Sequence, residues 1–132
     1  MILFGLLFGL DIILYFYYYG NMKTKSVITA LAALAQETRL AIFRLLVTAG
    51  PEGKTPGNIA EQLGIPSATL SFHLKELSHA GLIVSRQESR FIFYSANYQA
   101  MNKLISFLTE NCCAGSACET SSIEVCQPAN RN

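Results

Sequence analysis

Residues 55–82 read TPGNIAEQLGIPSATLSFHLKELSHAGL, and this stretch decides the fold. Thr55 offers a side-chain oxygen as a helix N-cap and Pro56 a fixed φ at the first helical position, so a helix is predicted through Gln62. Ile59, Ala60 and Leu63 fall on its inward side. Gly64 turns the chain and Pro66-Ser67 opens the next helix, with Ser67 as the expected cap of an element reaching His79. In that element Leu70, Leu74 and Leu77 form one apolar stripe, which leaves Ala68, Ser71, Phe72, Lys75 and His79 on the other side. Two helices joined by a turn of about four residues centred on glycine, the second with a polar outer face, can lay side chains in a DNA major groove. An ordinary helical hairpin is the competing reading of this pattern taken alone.

Upstream, Ser26 to Leu34 is rich in alanine and leucine and reads as a first helix. Gln36 to Ala49 is a stronger one, with Leu40, Phe43, Leu46 and Val47 at helical spacing and Gly50-Pro51 ending it. Pro51 to Lys54 reads as a loop. Downstream, Ala80-Gly81 stops the helix, Leu82–Gln87 and Phe91–Ser95 have strand composition, and Glu88-Ser89 is the turn between them. The resulting hairpin has Arg86 and Arg90 flanking its tip, a wing able to lay guanidinium groups along phosphates or into the adjoining minor groove. Asn97 can cap a last helix in which Met101, Leu104, Ile105 and Leu108 recur at one face. That face packs on its own core or on a second copy, and the second copy is favoured because a dimer supplies two half-sites.

A chain of 132 residues has room for one small domain with tails. The divisions are a hydrophobic N-terminal segment over 1–21, the helical and hairpin domain over 22–111, and a cysteine-containing tail over 112–132. The formal charge of +1 does not by itself argue for nucleic acid. Between Met22 and Asn111 nine cationic side chains stand against six carboxylates, leaving +3, so a DNA reading rests on where the charges sit. No nucleophile with a paired base, phosphate-cradling glycine loop or His/carboxylate metal site is present, and an enzyme is not expected. All four cysteines lie in the last 21 residues. A disulfide-stapled secreted fold does not distribute them so, and the reading is a cytoplasmic, reducing compartment.

Met1 to Tyr19 carries one charge, Asp11. As a helix it spans about 28 Å, near the hydrocarbon thickness, with tyrosines at an interface and Lys23 and Lys25 beyond it. Against an anchor, Asp11 near mid-bilayer costs about 3 kcal/mol and Gly5 and Gly9 weaken the helix. Three readings stand: a true start at Met22, a membrane anchor, and an amphipathic or disordered leader. A membrane is a partner only under the second.

The run Leu34–Leu46, the Ser71-Phe72-His73-Leu74-Lys75-Glu76-Leu77 core followed by Ala80-Gly81-Leu82-Ile83, and the Arg90–Tyr94 strand resemble the ArsR/SmtB family of winged-helix metalloregulators. The resemblance covers Val27 to Leu108. It implies a mainly α fold with a small β-hairpin, a winged helix-turn-helix that forms a homodimer through its first and last helices. It also implies double-stranded operator DNA as the partner, near the protein's own promoter, with release on ligand binding. The recognition helix becomes Ser67–His79, and the DNA-binding candidates are Ser67, Thr69, Ser71, Phe72, His73 and Lys75, with Arg86 and Arg90 in the wing. His73 has a second reading, as a side chain that locks the helix to its neighbour. The family's wing tip usually holds glycine where Ser89 stands. Many arsenic repressors also carry Cys-x-Cys on the first helix of the motif, whereas Thr55-Pro56-Gly57 has no thiol.

The candidate inducer site lies in the tail. As(III) and Sb(III) are soft ions that prefer three thiolates, which Cys112, Cys113 and Cys118 can supply, with Gly115 among small residues permitting the third sulfur to fold back. A related subgroup of the family places its arsenic ligands similarly, in a Cys-Cys and Cys arrangement at the end of the last helix. No catalytic cofactor is expected. Zinc competes for thiolates, but the only histidines, His73 and His79, lie in the recognition helix. The function expected is a repressor of an arsenic-resistance operon, released from DNA by arsenite or antimonite. The alternatives are a thiol redox sensor on the same fold, a tail with incidental thiols, and a membrane-tethered interaction protein. Cys126 reads as incidental.

Overall fold

The computed structural model describes residues 24–115. The first helix, α1, occupies 24–34 of the described chain. It is followed by α2 (Glu37–Ala49), α3 (Pro56–Leu63), α4 (Ser67–His79), β1 (Ile83–Glu88), β2 (Phe91–Ala96) and α5 (Tyr98–Leu108). The strands form one antiparallel hairpin, in register from Ile83 opposite Ala96 to Glu88 opposite Phe91. This is the mainly α winged helix-turn-helix expected from the sequence. The hydrophobic segment at 1–21 lies outside the described residues, as do Cys118 and Cys126. Among the described residues no helix is long and apolar enough to cross a membrane.

The core gathers Ala30 and Ala33 of α1, Ile42, Phe43 and Leu46 of α2, Ile59 of α3, the inner stripe of α4, and Leu82, Ile83 and Ala96 at the root of the hairpin. The inner face of α2 differs from the expectation: Leu40 is 43% exposed, while Ile42 is buried. Leu40 and Ile42 are both apolar, so two stripes fit the α2 sequence. The one chosen places Arg39 against α1, where its Nε donates to the Ala33 carbonyl at 2.6 Å. Gln36 caps α2 by accepting from the Arg39 amide at 2.8 Å, which fixes the α1–α2 corner.

Thr55 caps α3 as expected, its hydroxyl accepting from the Asn58 amide at 3.3 Å. Ser67 does not cap α4. Pro66 occupies the N-cap with extended backbone and no side-chain acceptor, so Ser67 becomes the first helical residue. The far end of α4 closes tightly. Gly81, at φ +73°, sends its amide to the Ser78 carbonyl at 3.0 Å, and Leu82 reaches back to the Leu77 carbonyl at 3.1 Å. This double closure needs a left-handed residue that only glycine adopts without strain.

The loop at Pro51–Lys54 is more than a connector. Lys54 pairs with Tyr94 through two main-chain bonds of 2.9 Å, so the hairpin is stitched to the segment before α3. The hairpin turn falls at Ser89-Arg90, one residue later than expected, with Ser89 at φ +59°. At the other end, Asn97 ties the hairpin's root to α5, beyond its ordinary helical bond from the Met101 amide. Its Oδ1 caps α5 by accepting from the Ala100 amide at 3.2 Å, its Nδ2 donates to the Gly81 carbonyl at 2.9 Å, and its amide donates to the Leu82 carbonyl at 2.8 Å. Replacing it with alanine removes a cap and a part-buried hydrogen bond at once. Asn97→Ala is expected to lose about 2 kcal/mol of stability, and Asn97→Asp, which keeps the acceptor, about half of that, read by chemical denaturation.

Candidate nucleic-acid interface and thiol turn

The periodicity of α4 separates two faces. Leu70, His73, Leu74 and Leu77 point into the core, against α2 and α3. Ser67, Ala68, Thr69, Ser71, Phe72, Lys75 and His79 are exposed. Of the sequence-stretch candidates on this helix, the structure therefore brings Ser67, Thr69, Ser71, Phe72 and Lys75 onto one solvent side. It withdraws His73, which is 7% exposed, from the outer face. The imidazole is held among leucines, and its position on the inner stripe corrects its place among the groove contacts: a ring so covered cannot reach a base edge without unpacking α4. It still acts on the outer face indirectly, because the Phe72 ring stands edge-on to it, with centroids 5.6 Å apart and planes at 64°.

The wing carries its two arginines differently. Arg90 sits in the turn and is exposed. Arg86 is not at the tip: it lies opposite Phe93, two residues down the strand from Glu88. Its guanidinium lies 4.9 Å over the Phe93 ring, donates to the Pro51 carbonyl at 3.2 Å and faces Glu88 at 3.4 Å. At 44% exposure this ion pair is screened and contributes little to stability, but it orients the guanidinium along the outer face of the wing. Lys54, read from the sequence only as the end of a loop, has its main chain fixed to β2 at Tyr94. A single strand-like pairing leaves no side-chain alternation to detect; the one hint was Gly53.

The last helix lays Tyr98, Met101 and Leu104 against the core and leaves its far end more open. No residue of α5 is fully buried, Leu108 is 59% exposed, and on α1 Ile28 and Leu31 are likewise exposed. Tyr98 anchors the start of α5 by donating its hydroxyl to the Val47 carbonyl at 3.1 Å.

Beyond α5 the chain makes a left-handed turn, with Asn111, Cys113 and Ala114 all near φ +55°. Among the described residues it brings two sulfurs together: Cys112 Sγ lies 3.7 Å from Cys113 Sγ, and both residues are exposed. Sulfurs this close can approach one soft ion only once both are thiolates, with a third sulfur completing the set. Cys113 is disulfide-bonded, whereas Cys112 keeps its thiol. Among the described residues no group of three potential ligands gathers; the third expected sulfur, Cys118, lies outside them.

The helix-turn-helix domain family matches residues 34–86. The uncharacterized HTH-type transcriptional regulator YceK of Bacillus subtilis (strain 168) is 41% identical over 63 residues, 48% of this chain and 62% of that protein. The chain thus spans less than two thirds of that relative's length. Among solved structures, an ArsR-like transcriptional regulator from Rhodococcus sp. RHA1 matches with a TM-score of 0.59 and 28% identity, over 64% of this chain and 77% of that one. A possible transcriptional regulator for arsenical resistance matches at 0.53 and 30% identity, over 60% and 79%. Fold and likeness together define a winged helix-turn-helix domain of the kind that transcriptional regulators carry. The chain belongs to the ArsR/SmtB family of such regulators.

Proposed function

We propose that this protein is a homodimeric repressor of an arsenic-resistance operon. In this reading it binds operator DNA through α4 and the wing, and is released when As(III) or Sb(III) is held by Cys112, Cys113 and Cys118. The observation that carries the inducer reading is the placement of the Cys112 and Cys113 sulfurs, 3.7 Å apart, at the end of α5. The uncovered apolar side chains of α1 and α5 support a second copy as the partner there. The likeness to a possible regulator for arsenical resistance supports the ion. Chemically, arsenous acid exchanges three hydroxyls for three thiols and releases three waters, so Cys113 must first be returned to the thiol by a cellular dithiol or reductase. Release then requires only that the ion bind the DNA-dissociated form more tightly than the DNA-bound one.

The disulfide at Cys113 supports one rival, a thiol redox sensor in which oxidation alone loosens DNA. Fluorescence anisotropy of the full-length protein on duplex from upstream of its own gene separates the two. Under strict anaerobic reduction, arsenite is expected to weaken binding about 30- to 150-fold, and Cys112→Ser, Cys113→Ser and Cys118→Ser each to suppress that effect. Undiminished release in all three variants overturns the proposed ion site. Release by a disulfide-forming oxidant with no response to arsenite establishes the redox sensor instead, and absence of duplex binding removes both.

A further inference from the structure

The exposed face of α4 is unusual in what it lacks. Between Ser67 and His79 there is no arginine, asparagine or glutamine, and Lys75, in the second half of the helix, is its one side chain able to pair with guanine. The hydroxyl of Ser71 is turned inward on its own helix, donating to the Ser67 carbonyl at 3.1 Å. Beside the short hydroxyls of Ser67 and Thr69, what α4 offers near its start is apolar. Ala68 and Phe72 are one helical turn apart on the exposed side, and Phe72 is 56% exposed, a large ring left in water on a helix that buries its leucines well. Lys75 follows a turn later.

The order along the helix matters. Recognition helices meet base edges with their N-terminal residues. Here that end carries Ala68 and Phe72 beside the short hydroxyl side chains of Ser67 and Thr69, and the cation lies beyond it, so Ala68 and Phe72 fall where bases are read and Lys75 where a phosphate can be reached. The one feature of the major groove that an apolar side chain can distinguish is the 5-methyl group of thymine. Phe72 is also poised for that contact, because the buried His73 ring supports it edge-on and restricts where the phenyl group can go.

We propose that Phe72 is a specificity-determining residue that reads thymine by packing against its 5-methyl group, so each half-site contains at least one T·A pair recognised by shape and apolar contact rather than by hydrogen bonds. This inference rests on the DNA-binding reading above, and the test keeps the two apart. A high-affinity duplex is first selected from a random pool by the full-length protein. Each thymine in each half-site is then replaced in turn by deoxyuridine, which removes only the methyl group.

At one position per half-site the replacement is expected to weaken wild-type binding roughly fourfold, the value of one buried methyl group. The same replacement should have no effect on Phe72→Ala, and nearly the full effect on Phe72→Leu, which keeps an apolar side chain. Lys75→Ala, by contrast, should weaken all duplexes alike and flatten the salt dependence. Selective binding in which deoxyuridine is tolerated everywhere, or costs Phe72→Ala as much as wild type, overturns the methyl reading and leaves DNA binding intact. A protein that enriches no duplex overturns both.

Discussion

Gly53→Ala is expected to remove about 3 kcal/mol of stability, although the residue lies in a surface loop. Two effects combine. At φ +72° an alanine is strained by about 1–2 kcal/mol. In addition, its Cβ would meet the carbonyl group of Tyr94, with the carbonyl carbon at 2.9 Å, and Ser95 Cβ at 3.3 Å. The obstacle is backbone, so it cannot swing aside as a side chain would. The Lys54–Tyr94 pairing must open, at roughly 1 kcal/mol for each of its hydrogen bonds. Gly50 is the internal comparison. It too has positive φ, +82°, but nothing lies within 4 Å of a Cβ built there, so Gly50→Ala should show the conformational cost alone. Thermal unfolding of the two variants decides the matter: the expected loss for Gly53→Ala is about 12–24 °C, and equal losses at both glycines would mean that the stitch between loop and wing contributes nothing.

Leu77→Ala should be at least as damaging, at about 3–4 kcal/mol. Leu77 is fully buried on the inner stripe of α4, and its carbonyl accepts the Leu82 amide that closes the helix. Removing its isobutyl group leaves a cavity between α4 and the rest of the core that a rigid helix cannot collapse to fill. Phe72→Ala, five residues earlier on the exposed face, should change stability by no more than about 0.5 kcal/mol. Equilibrium denaturation of both variants therefore separates the two faces of one helix. A large loss at Phe72 would place that ring in the core rather than in the interface.

The helices and the wing were legible because their signals are local and redundant. Thr55-Pro56, Gly64, Gly81 and Asn97 each punctuate the chain by a mechanism that survives any tertiary context, and the leucine stripe of α4 leaves one choice of inner face. Where the signals were degenerate, the details shifted. In α2 apolar residues occupy both candidate stripes, and packing against α3, α4 and the hairpin selected Ile42 over Leu40. At the start of α4, Pro66 and Ser67 compete for the cap, and a serine's preference does not reveal which of two adjacent residues leaves the helical conformation. The Lys54–Tyr94 pairing is a main-chain event between distant residues, invisible to any pattern of side chains. His73 sits at the margin of the leucine stripe, and only packing could place it inside. The thiol turn was legible as chemistry, from cysteine spacing, but not as shape: Asn111 suits the left-handed conformation, whereas Cys113 and Ala114, which share it, do not announce it.

One asparagine sets a mechanical constraint on how any signal from the thiol end could arrive at the reading helix. Asn97 holds the first turn of α5 with its carbonyl oxygen while its amide nitrogen grips the residue that terminates α4. The base of the lever and the tail of the probe are thus riveted to the same side chain. Within a protomer, α5 cannot swivel at its root without dragging that joint or shearing it, so any movement begun at the thiol end reaches the reading helix through this one side chain's bonds.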